Sequence, residues 1–320
     1  MERHCGQSAA GRVVTHHDRA DALQSGPGRG ELILVATPIG NLGDLSPRAV
    51  EVLRRADAIA CEDTRHTRKL LSAAAIDGKR MLAVHEHNEH HAANGIVELL
   101  ARGQCVALVT DAGMPAISDP GERVVAAAVA AGFAVTCVPG PSAALTALAI
   151  SGLPTARFVF EGFLPVKGPE RQDRLAAAAA GTETVILFEA PHRLVRTLTD
   201  LVGRCGPDRK VSVSRELTKR FEETRRGSLG EVVHALVADG ASEPRGEYVI
   251  VLAGRVAADD ALPIDDDAVR AMVAAERERG ARTKEAVDAV ALATGLPRRH
   301  VYALAVATPT GGASGPHPSV

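Results

Sequence analysis

Two short loops rich in glycine, proline and aspartate are the segments of this chain best suited to chemistry. The longer loop, residues 110–121, reads TDAGMPAISDPG and follows the apolar run at 106–109. The shorter loop, residues 37–44, reads TPIGNLGD and follows a similar run at 32–35. Glycine and proline let a chain turn sharply and bring its backbone close to a ligand. Both loops therefore predict ligand-binding turns at the ends of strands.

Carboxylates that could accept a proton follow three of the predicted strands. Asp44 ends the shorter loop, Glu62 and Asp63 follow a second apolar run, and Asp111 opens the longer loop. A carboxylate in such a place can act as general base towards a weakly acidic hydroxyl group. Asp63 is equally suited to cap the helix that begins beside it. The sequence leaves the choice among these four open.

A further set of side chains can bind phosphate or hydroxyl groups. These residues are Arg65, His87, Asn88, Arg193, Arg215 and Lys219. Glutamates interleave with them, so each basic run alone is explained equally well by a solvated surface. Together they favour a polyanionic substrate. The balance of 37 Lys and Arg against 39 Asp and Glu excludes a strongly basic nucleic-acid-binding protein.

Several cofactor classes are not indicated by the sequence. Neither loop carries the GxGxxG of a dinucleotide site or the glycine-lysine-serine of a phosphate loop, which favours a cofactor without phosphates. In the histidine-rich run at 84–91, an HExxH zinc motif would need histidine at the position of Glu89. The five cysteines are scattered without a CxxC pair, which indicates reduced thiols rather than zinc or disulfides. We therefore expect no metal.

The spacing of helix and strand patterns predicts an α/β protein with two α/β domains and a small C-terminal helical module. In residues 30–150, five short strands alternate with helices, which predicts a mostly parallel sheet covered on both faces. Residues 151–255 show four more strand patterns, the last two with the look of a hairpin. Three short helices are predicted in residues 263–307, at a spacing that resembles a helix-turn-helix.

The two ends of the chain carry no pattern of a folded element. We expect a disordered leader at residues 1–29, without the apolar core of a signal peptide, and a disordered tail at 308–320. The stretch between Arg123 and Arg157 has no charged residue, but glycines and prolines interrupt it repeatedly. A membrane span is therefore not predicted. These features predict a cytoplasmic protein.

Eight motifs, in this order, resemble those of the ribosomal RNA small subunit methyltransferase I family within the tetrapyrrole methylase superfamily. They are TPIGNLGD, EDTR, HEHNE, TDAGMPAISDPG, VPGPSA, FEAPHR, RELTK and GEYV. The resemblance extends over residues 31–255. It implies two α/β domains with S-adenosylmethionine bound between them, and methylation of the ribose 2′-hydroxyl of a decoding-centre cytidine in 16S ribosomal RNA. It also implies a homodimer that acts on ribosomal RNA or on the assembled small subunit.

The resemblance also implies the residues that bind the cofactor. They are Pro38, Gly113, Met114, Pro115, Ile117, Ser142, Ala143 and Glu189. The family commonly has threonine at the position of Met114, and the wider superfamily often has aspartate. Two alternatives therefore stay open. One is a methyltransferase that acts on a tetrapyrrole precursor; the other is a non-catalytic ribosome-assembly factor that binds RNA and keeps a decayed cleft.

Overall fold

The computed structural model describes residues 30–238, 245–255, 265–294 and 296–306. The predicted leader and tail lie outside the described residues. The chain divides into two compact units, one of Met1–Ala176 with Thr184–Ala253 and one of Ala177–Glu183 with Gly254–Val320. Both β-sheets belong to the first unit, which therefore contains every motif named above.

The first sheet has five strands in the order β3-β2-β4-β1-β5, and all of its pairings are parallel. Its strands are β1 (Glu31–Val35), β2 (Ala58–Cys61), β3 (Arg80–Ala83), β4 (Cys105–Leu108) and β5 (Ala134–Val138). The predicted parallel sheet is confirmed. A parallel pair needs a crossover between its strands, and helices supply these crossovers here.

Four helices cover the two faces of this sheet. They are α1 (Pro47–Arg55), α2 (Thr64–Ala73), α3 (Glu89–Ala101) and α4 (Glu122–Ala130). Helices α1 and α2 pack with the strand residues of one face, and α3 and α4 pack with those of the other. Ser46 caps α1 by accepting a hydrogen bond from the backbone of Ala49, and Pro47 takes the first helical position. A serine followed by a proline is a common sequence signal for the start of a helix.

The neighbouring strands β1 and β4 create a crevice at their carboxyl ends. After β1 the chain continues into α1 on one face, whereas after β4 it continues into α4 on the opposite face. The loops that follow the two strands therefore diverge towards opposite faces of the sheet. In open α/β sheets, ligands bind in the crevice at such a switch point. Here the two loops are residues 37–44 and 110–121, the segments selected from the sequence.

The second sheet is mixed, with the order β6-β7-β10-β8-β9. Its strands are β6 (Phe158–Phe163), β7 (Thr184–Glu189), β8 (Lys210–Arg215), β9 (Glu223–Ser228) and β10 (Tyr248–Leu252). Only β6 and β7 pair in parallel; the other pairings are antiparallel. The expected hairpin of β8 with β10 is wrong in its connection, because β9 and a helix lie between them in sequence. Strand β9 lies at the edge of the sheet and has the sequence ETRRGS. Charged residues are common on edge strands, but they make such a strand hard to recognise from its sequence.

Four helices accompany the second sheet: α5 (Ala143–Ile150), α6 (Pro169–Ala180), α7 (Leu194–Cys205) and α8 (Leu229–Ala238). Helix α5 is almost entirely apolar, and it buries Ala144, Ala147 and Leu148 while Leu145 stays exposed. It packs against Ile186, Val249 and Val251 of the sheet and against Ile39 of the first loop. The core around α5 therefore joins the second sheet to the crevice of the first.

The second unit contains the three predicted C-terminal helices, α9 (Asp266–Glu278), α10 (Thr283–Thr294) and α11 (Arg298–Val306). They share one small core, formed mainly by valines. A glycine commonly follows the end of a helix, and the sequence has Gly295 directly after α10, but this residue lies outside the described residues. In the part of the chain that the structure describes, no helix is both long and apolar enough to cross a membrane.

Candidate active site

The loop at residues 110–121 is held in an unusual backbone conformation. Gly113, Ala116, Ser118 and Gly121 have φ angles of +88°, +67°, +61° and +138°. Thr37 and Gly113 exchange two backbone hydrogen bonds, of 2.9 and 3.1 Å. Left-handed conformations at non-glycine residues cost about 1–3 kcal/mol each, and they persist where the surrounding structure imposes them. Two such residues in this loop therefore mark it as a functional segment.

A cavity of about 350 Å³ lies in the crevice between this loop and the second sheet. Six of the eight residues expected to bind the cofactor line it: Gly113, Met114, Ile117, Ser142, Ala143 and Glu189. Pro115 is buried inside the loop, and Pro38 lines a neighbouring cavity instead. The structure thus brings together residues from three separate motifs. The volume lies in the usual range for small-molecule sites.

The other walls of this first cavity come from residues that sequence reasoning did not select. Phe163, Phe188, Pro191 and Tyr248 add apolar surface, and Asp119 adds a carboxylate. Phe188, Pro191 and Tyr248 stand inside the FEAPHR and GEYV motifs, so a signal for them was present. Phe163 had none, because it belongs to an apolar strand that reads like core.

A second cavity, of about 260 Å³, adjoins the first and shares Ile39, Ala112 and Glu247 with it. Its other walls include Pro38 and the polar or charged groups of Thr37, His66, Lys69, Asp111 and Lys219. Both cavities have apolar walls, but the charged groups of the first are all carboxylates, whereas the second also has cations at Lys69 and Lys219. Two adjoining cavities of different character can hold two reactants side by side.

Of the four carboxylates predicted as bases, all within the described residues, only Asp111 lines either cavity. Asp111 also accepts a hydrogen bond of 3.2 Å from the backbone of Asp63. Asp63 caps α2 by accepting from the backbone of Arg65, and this hydrogen bond lowers the pKa of Asp63. Glu62 accepts from the Thr110 hydroxyl at 3.1 Å. Asp44 is exposed in a short 3-10 turn.

Asp119 is the carboxylate with the most altered acidity at this site. Burial raises its pKa to about 6, a hydrogen bond from Thr110 lowers it, and the charges of Glu62, Asp111 and Glu247 raise it further. A carboxyl group in this range changes protonation state close to neutral pH. Asp119 was not among the predicted residues, because the motif alone does not show which cavity each of its two aspartates faces.

Lys219 crosses from the second sheet to the first loop. Its ammonium group lies 3.0 Å from the carboxylates of both Glu216 and Glu247. Burial lowers its pKa, but hydrogen bonds to the two glutamates raise it to a greater extent, so the group stays charged. Gly40 packs directly beneath the Lys219 side chain and leaves no space there for a Cβ atom. The lysine predicted to bind substrate therefore lies at the second cavity.

The other residues predicted to bind substrate, all within the described chain, line neither cavity. Arg65 is exposed and 3.6 Å from Asp63. Asn88 hydrogen-bonds to the backbone at the start of α3, with His87 exposed beside it. Arg193 pairs with Glu189 at 3.0 Å and donates to the carbonyl of Leu164. Arg215 donates to the carbonyl of Arg245.

A buried polar network supports the wall of the first cavity. Arg171 is 1% exposed and donates to Thr197 at 3.0 Å and to Asp200 at 2.8 Å. Thr197 in turn donates to Glu189 at 2.5 Å, and the same carboxylate accepts from Arg193. A buried carboxylate is tolerated only when it is paired in this way. The network therefore fixes the position of Glu189 at the cavity.

Glu89 holds the end of the long loop in place. Its carboxylate is nearly buried and accepts backbone hydrogen bonds of 2.9 Å from both Gly121 and Arg123 at the N-terminus of α4. We expect Glu89→Ala to lower the free energy of unfolding by roughly 1–3 kcal/mol, because two buried donors lose their acceptor. Urea denaturation measures this. Glu86→Ala, three residues earlier at an exposed position, is the control, and an equal cost for both variants would contradict the assignment.

The described residues contain no group of three His, Cys, Asp or Glu side chains that could hold a metal ion. The four cysteines that the structure describes are all free thiols. In the described part of the chain, the His-rich run begins in a loop, and α3 starts only at Glu89.

Comparison with known proteins identifies a family with this fold. The sequence profile of the family described as Tetrapyrrole (Corrin/Porphyrin) Methylases matches residues 31–233. Solved structures with the same fold include the methyltransferase CobJ, with a TM-score of 0.53 and 20% identity over 72% of this chain and 95% of that chain. Diphthine synthase also has a TM-score of 0.53, with 15% identity over 70% of this chain and 90% of that chain. The fold and the paired cavities thus define a methylase of this class.

Curated relatives narrow the class further. A ribosomal RNA small subunit methyltransferase I of Xylella fastidiosa is 46% identical, covering 85% of this chain and 98% of the relative. The protein of that name from Synechocystis is 44% identical, covering 87% and 98%. The one from Escherichia coli O157:H7 is 43% identical, covering 82% and 90%. The chain belongs to the ribosomal RNA small subunit methyltransferase I family, and it is a methyltransferase.

Proposed function

We propose that this enzyme transfers the methyl group of S-adenosylmethionine to the ribose 2′-hydroxyl of a decoding-centre cytidine in 16S ribosomal RNA. The observation that carries the proposal is the pair of adjoining cavities, one whose charged groups are all carboxylates and one that also has cations. The names of the relatives support ribosomal RNA as the acceptor. The cytidine and its ribose hydroxyl rest on the motif resemblance.

The residues of the first cavity fit S-adenosylmethionine. Apolar walls at Ile39, Phe188 and Val249 suit an adenine ring, and the carboxylates of Asp119 and Glu247 suit a cationic ligand. The left-handed Gly113 lets the backbone of the loop face the cavity without an intervening side chain. When bound, the cofactor supplies an electrophilic methyl group on a sulfonium, so the protein has to orient the reactants, which contributes about 7–11 kcal/mol in favourable cases.

The second cavity fits one nucleotide of a polyanionic chain. Lys69, His66 and Lys219 can pair with phosphate, and Asp111 can accept a hydrogen bond from a ribose hydroxyl. Proteins that recognise RNA by sequence commonly take single-stranded, unstacked nucleotides into such pockets. We propose that Arg65 and Arg215 contact phosphates further along the RNA strand. Arg65 is exposed and therefore accessible to RNA. Arg193 and Asn88 already have partners within the protein, so their part in RNA binding is weaker in our proposal.

We further propose that the enzyme works as a cytoplasmic homodimer on ribosomal RNA or on the assembled small subunit. Large apolar side chains near the first cavity are exposed in the single chain: Ile117 at 49%, Leu145 at 53% and Phe163 at 51%. Exposed apolar groups around one site are typical of a surface that a second subunit covers. This arrangement supports the dimer implied by the motif resemblance.

The test uses small ribosomal subunits from cells that lack this gene, the purified enzyme and methyl-labelled S-adenosylmethionine. Nuclease digestion and mass spectrometry then locate the label. Label on the ribose of a decoding-centre cytidine supports the proposal. If the enzyme binds the cofactor but no RNA is labelled, a tetrapyrrole precursor or another molecule is favoured as the methyl acceptor. If the cofactor does not bind at all, the non-catalytic assembly factor is favoured. Naked 16S RNA in parallel separates free RNA from the assembled subunit.

Lys69→Gln should weaken RNA binding and leave cofactor binding unchanged, because Lys69 lines only the second cavity. Loss of one phosphate contact reduces the slope of log affinity against log salt by about 0.7 for a single strand. Filter binding at several salt concentrations measures the slope, with Lys167→Gln, an exposed lysine outside both cavities, as the matched control. An unchanged slope in Lys69→Gln would remove this residue from the RNA site.

A further inference from the structure

Asp119 is a carboxylate of the first cavity that lies near charged groups of the second. It lines the first cavity, and two of the three charges that act on it, those of Asp111 and Glu247, belong to walls of the second. Glu247 lines both cavities. A methyl group passing from a donor in the first cavity to an acceptor in the second must cross this boundary. Asp119 is therefore placed beside the path of transfer.

We propose that Asp119 is the catalytic residue that accepts the proton of the acceptor hydroxyl. The inference rests on the proposed function. The hydroxyl oxygen bonds to the methyl carbon while the carbon–sulfur bond breaks, and its electron pair stays on sulfur. The hydroxyl proton passes to the Asp119 carboxylate. A cationic donor, a neutral alcohol and a carboxylate thus become a neutral thioether, a methyl ether and a carboxylic acid, so charge and atoms balance.

The other carboxylates of the cluster make structural contacts, and Asp111 also lines the second cavity. Asp63 caps α2, Asp111 accepts from the backbone of Asp63, and Glu62 accepts from the Thr110 hydroxyl. The Thr110 hydroxyl donates to Glu62 and also interacts with the Asp119 carboxylate. A carboxylate has about four lone-pair sites, so this interaction leaves Asp119 able to accept a proton. Its pKa of about 6 suits a base that works close to neutral pH.

The backbone around Asp119 supports a functional role. Ala116 and Ser118 adopt left-handed conformations just before it, and the Ser118 hydroxyl lies against Gly162, which has no space for a Cβ atom on that side. Strand β6 carries a register shift at this point. A strained loop packed against an irregular strand is a costly arrangement for a solvated turn. It makes sense when the loop must hold one side chain at a fixed place.

The experiment compares Asp119→Asn with the wild-type enzyme and with Glu122→Gln, which removes an exposed carboxylate three residues further along the chain. Methyl transfer to small subunits gives kcat, calorimetry gives the affinity for S-adenosylmethionine, and thermal unfolding gives Tm. We expect kcat of Asp119→Asn to fall about 10²–10⁴-fold. Cofactor affinity should fall far less than kcat, because Glu247 keeps a carboxylate at the first cavity. Tm should be unchanged or raised, because one of several mutually repelling carboxylates becomes neutral. Glu122→Gln should match the wild type.

The pH profile supplies a readout that a structural role would not change. A base is active when ionised, so kcat/KM of the wild type should fall as the pH drops through about 6. Asp119→Glu keeps a carboxylate and should keep this acidic limb, whereas Asp119→Asn should lack it. Full activity in Asp119→Asn, an unaltered acidic limb, or a loss confined to cofactor affinity would each overturn the inference. If the wild type itself labels no RNA, the proposed function fails and the inference fails with it.

Discussion

Gly113→Val is expected to lower the affinity for S-adenosylmethionine by about 100-fold or more, which corresponds to about 2.8 kcal/mol. A β-branched residue is a genuine outlier at positive φ, and φ of Gly113 is +88°. The new Cβ would stand 3.4 Å from Ile39 and 3.7 Å from the carbonyl of Pro141, so the methyl groups have to enter the first cavity or displace the loop. Calorimetric titration of the variant measures the loss.

The control for this prediction is Gly132→Val. Gly132 also has a positive φ, of +77°, but nothing lies within 4 Å of its added Cβ. Both variants therefore carry comparable backbone strain, and both should unfold more readily than the wild type. Only Gly113→Val should lose the cofactor. If Gly132→Val weakened cofactor binding as much, general destabilisation would explain the effect and the role of Gly113 in the cavity would be contradicted.

Arg171→Ala is expected to lower the free energy of unfolding by about 1.5–3 kcal/mol, the range for a hydrogen bond to a charged group. The guanidinium is 1% exposed and pairs at 2.8 Å with Asp200, whose side chain is 34% exposed, so its removal leaves a partly solvated carboxylate without its partner. Urea denaturation gives this value. Thr197 also loses the hydrogen bond that it accepts from Arg171. The Thr197 hydroxyl, which donates to Glu189, is then less firmly positioned, and so is the Glu189 side chain. A secondary loss of cofactor affinity should accompany the destabilisation.

Two further variants show whether the unpaired charge of Asp200 causes the loss of stability in Arg171→Ala. Arg196→Ala removes an exposed arginine on the same helix as Thr197 and should cost little. The double variant Arg171→Met with Asp200→Leu removes both charges, and replacing a buried pair by apolar groups is often neutral or stabilising. It should therefore recover much of the stability lost in Arg171→Ala. A double variant as unstable as the single one would show that packing, not the unpaired carboxylate, accounts for the loss.

Much of the fold could be predicted because helix and strand signals alternate clearly in this chain. The strands of the first sheet are apolar runs bounded by turns, and Ser46 with Pro47 marks the start of α1. Strand β9 escaped prediction for a physical reason. An edge strand needs few apolar residues. Strand β9, with the sequence ETRRGS, is held in the sheet by backbone hydrogen bonds to β8. Sequence periodicity does not report such backbone pairing.

The site was predictable in its loops but not in its individual carboxylates. Motif order was sufficient to select Gly113, Ser142 and Glu189, which lie far apart in sequence and line one cavity. Sequence alone gave no way to see that Asp111 faces the second cavity and Asp119 the first. That difference depends on left-handed turns between them. The same limit applies to Arg193, whose charge suggested phosphate but which lies against Glu189.

The strand order of the second sheet has a consequence for how the chain folds during synthesis. Strand β10 is the last strand in sequence, yet it lies at the centre of the sheet, between β7 and β8. The first sheet is complete once Val138 has been made, whereas β7 and β8 have no partner on their inner edges until Leu252 follows. Unpaired strand edges invite pairing with other chains. A nascent chain of this enzyme therefore carries a finished first sheet and an unfinished second sheet until Leu252 has been made, and a chain that stops before this residue is a candidate for aggregation rather than for partial activity.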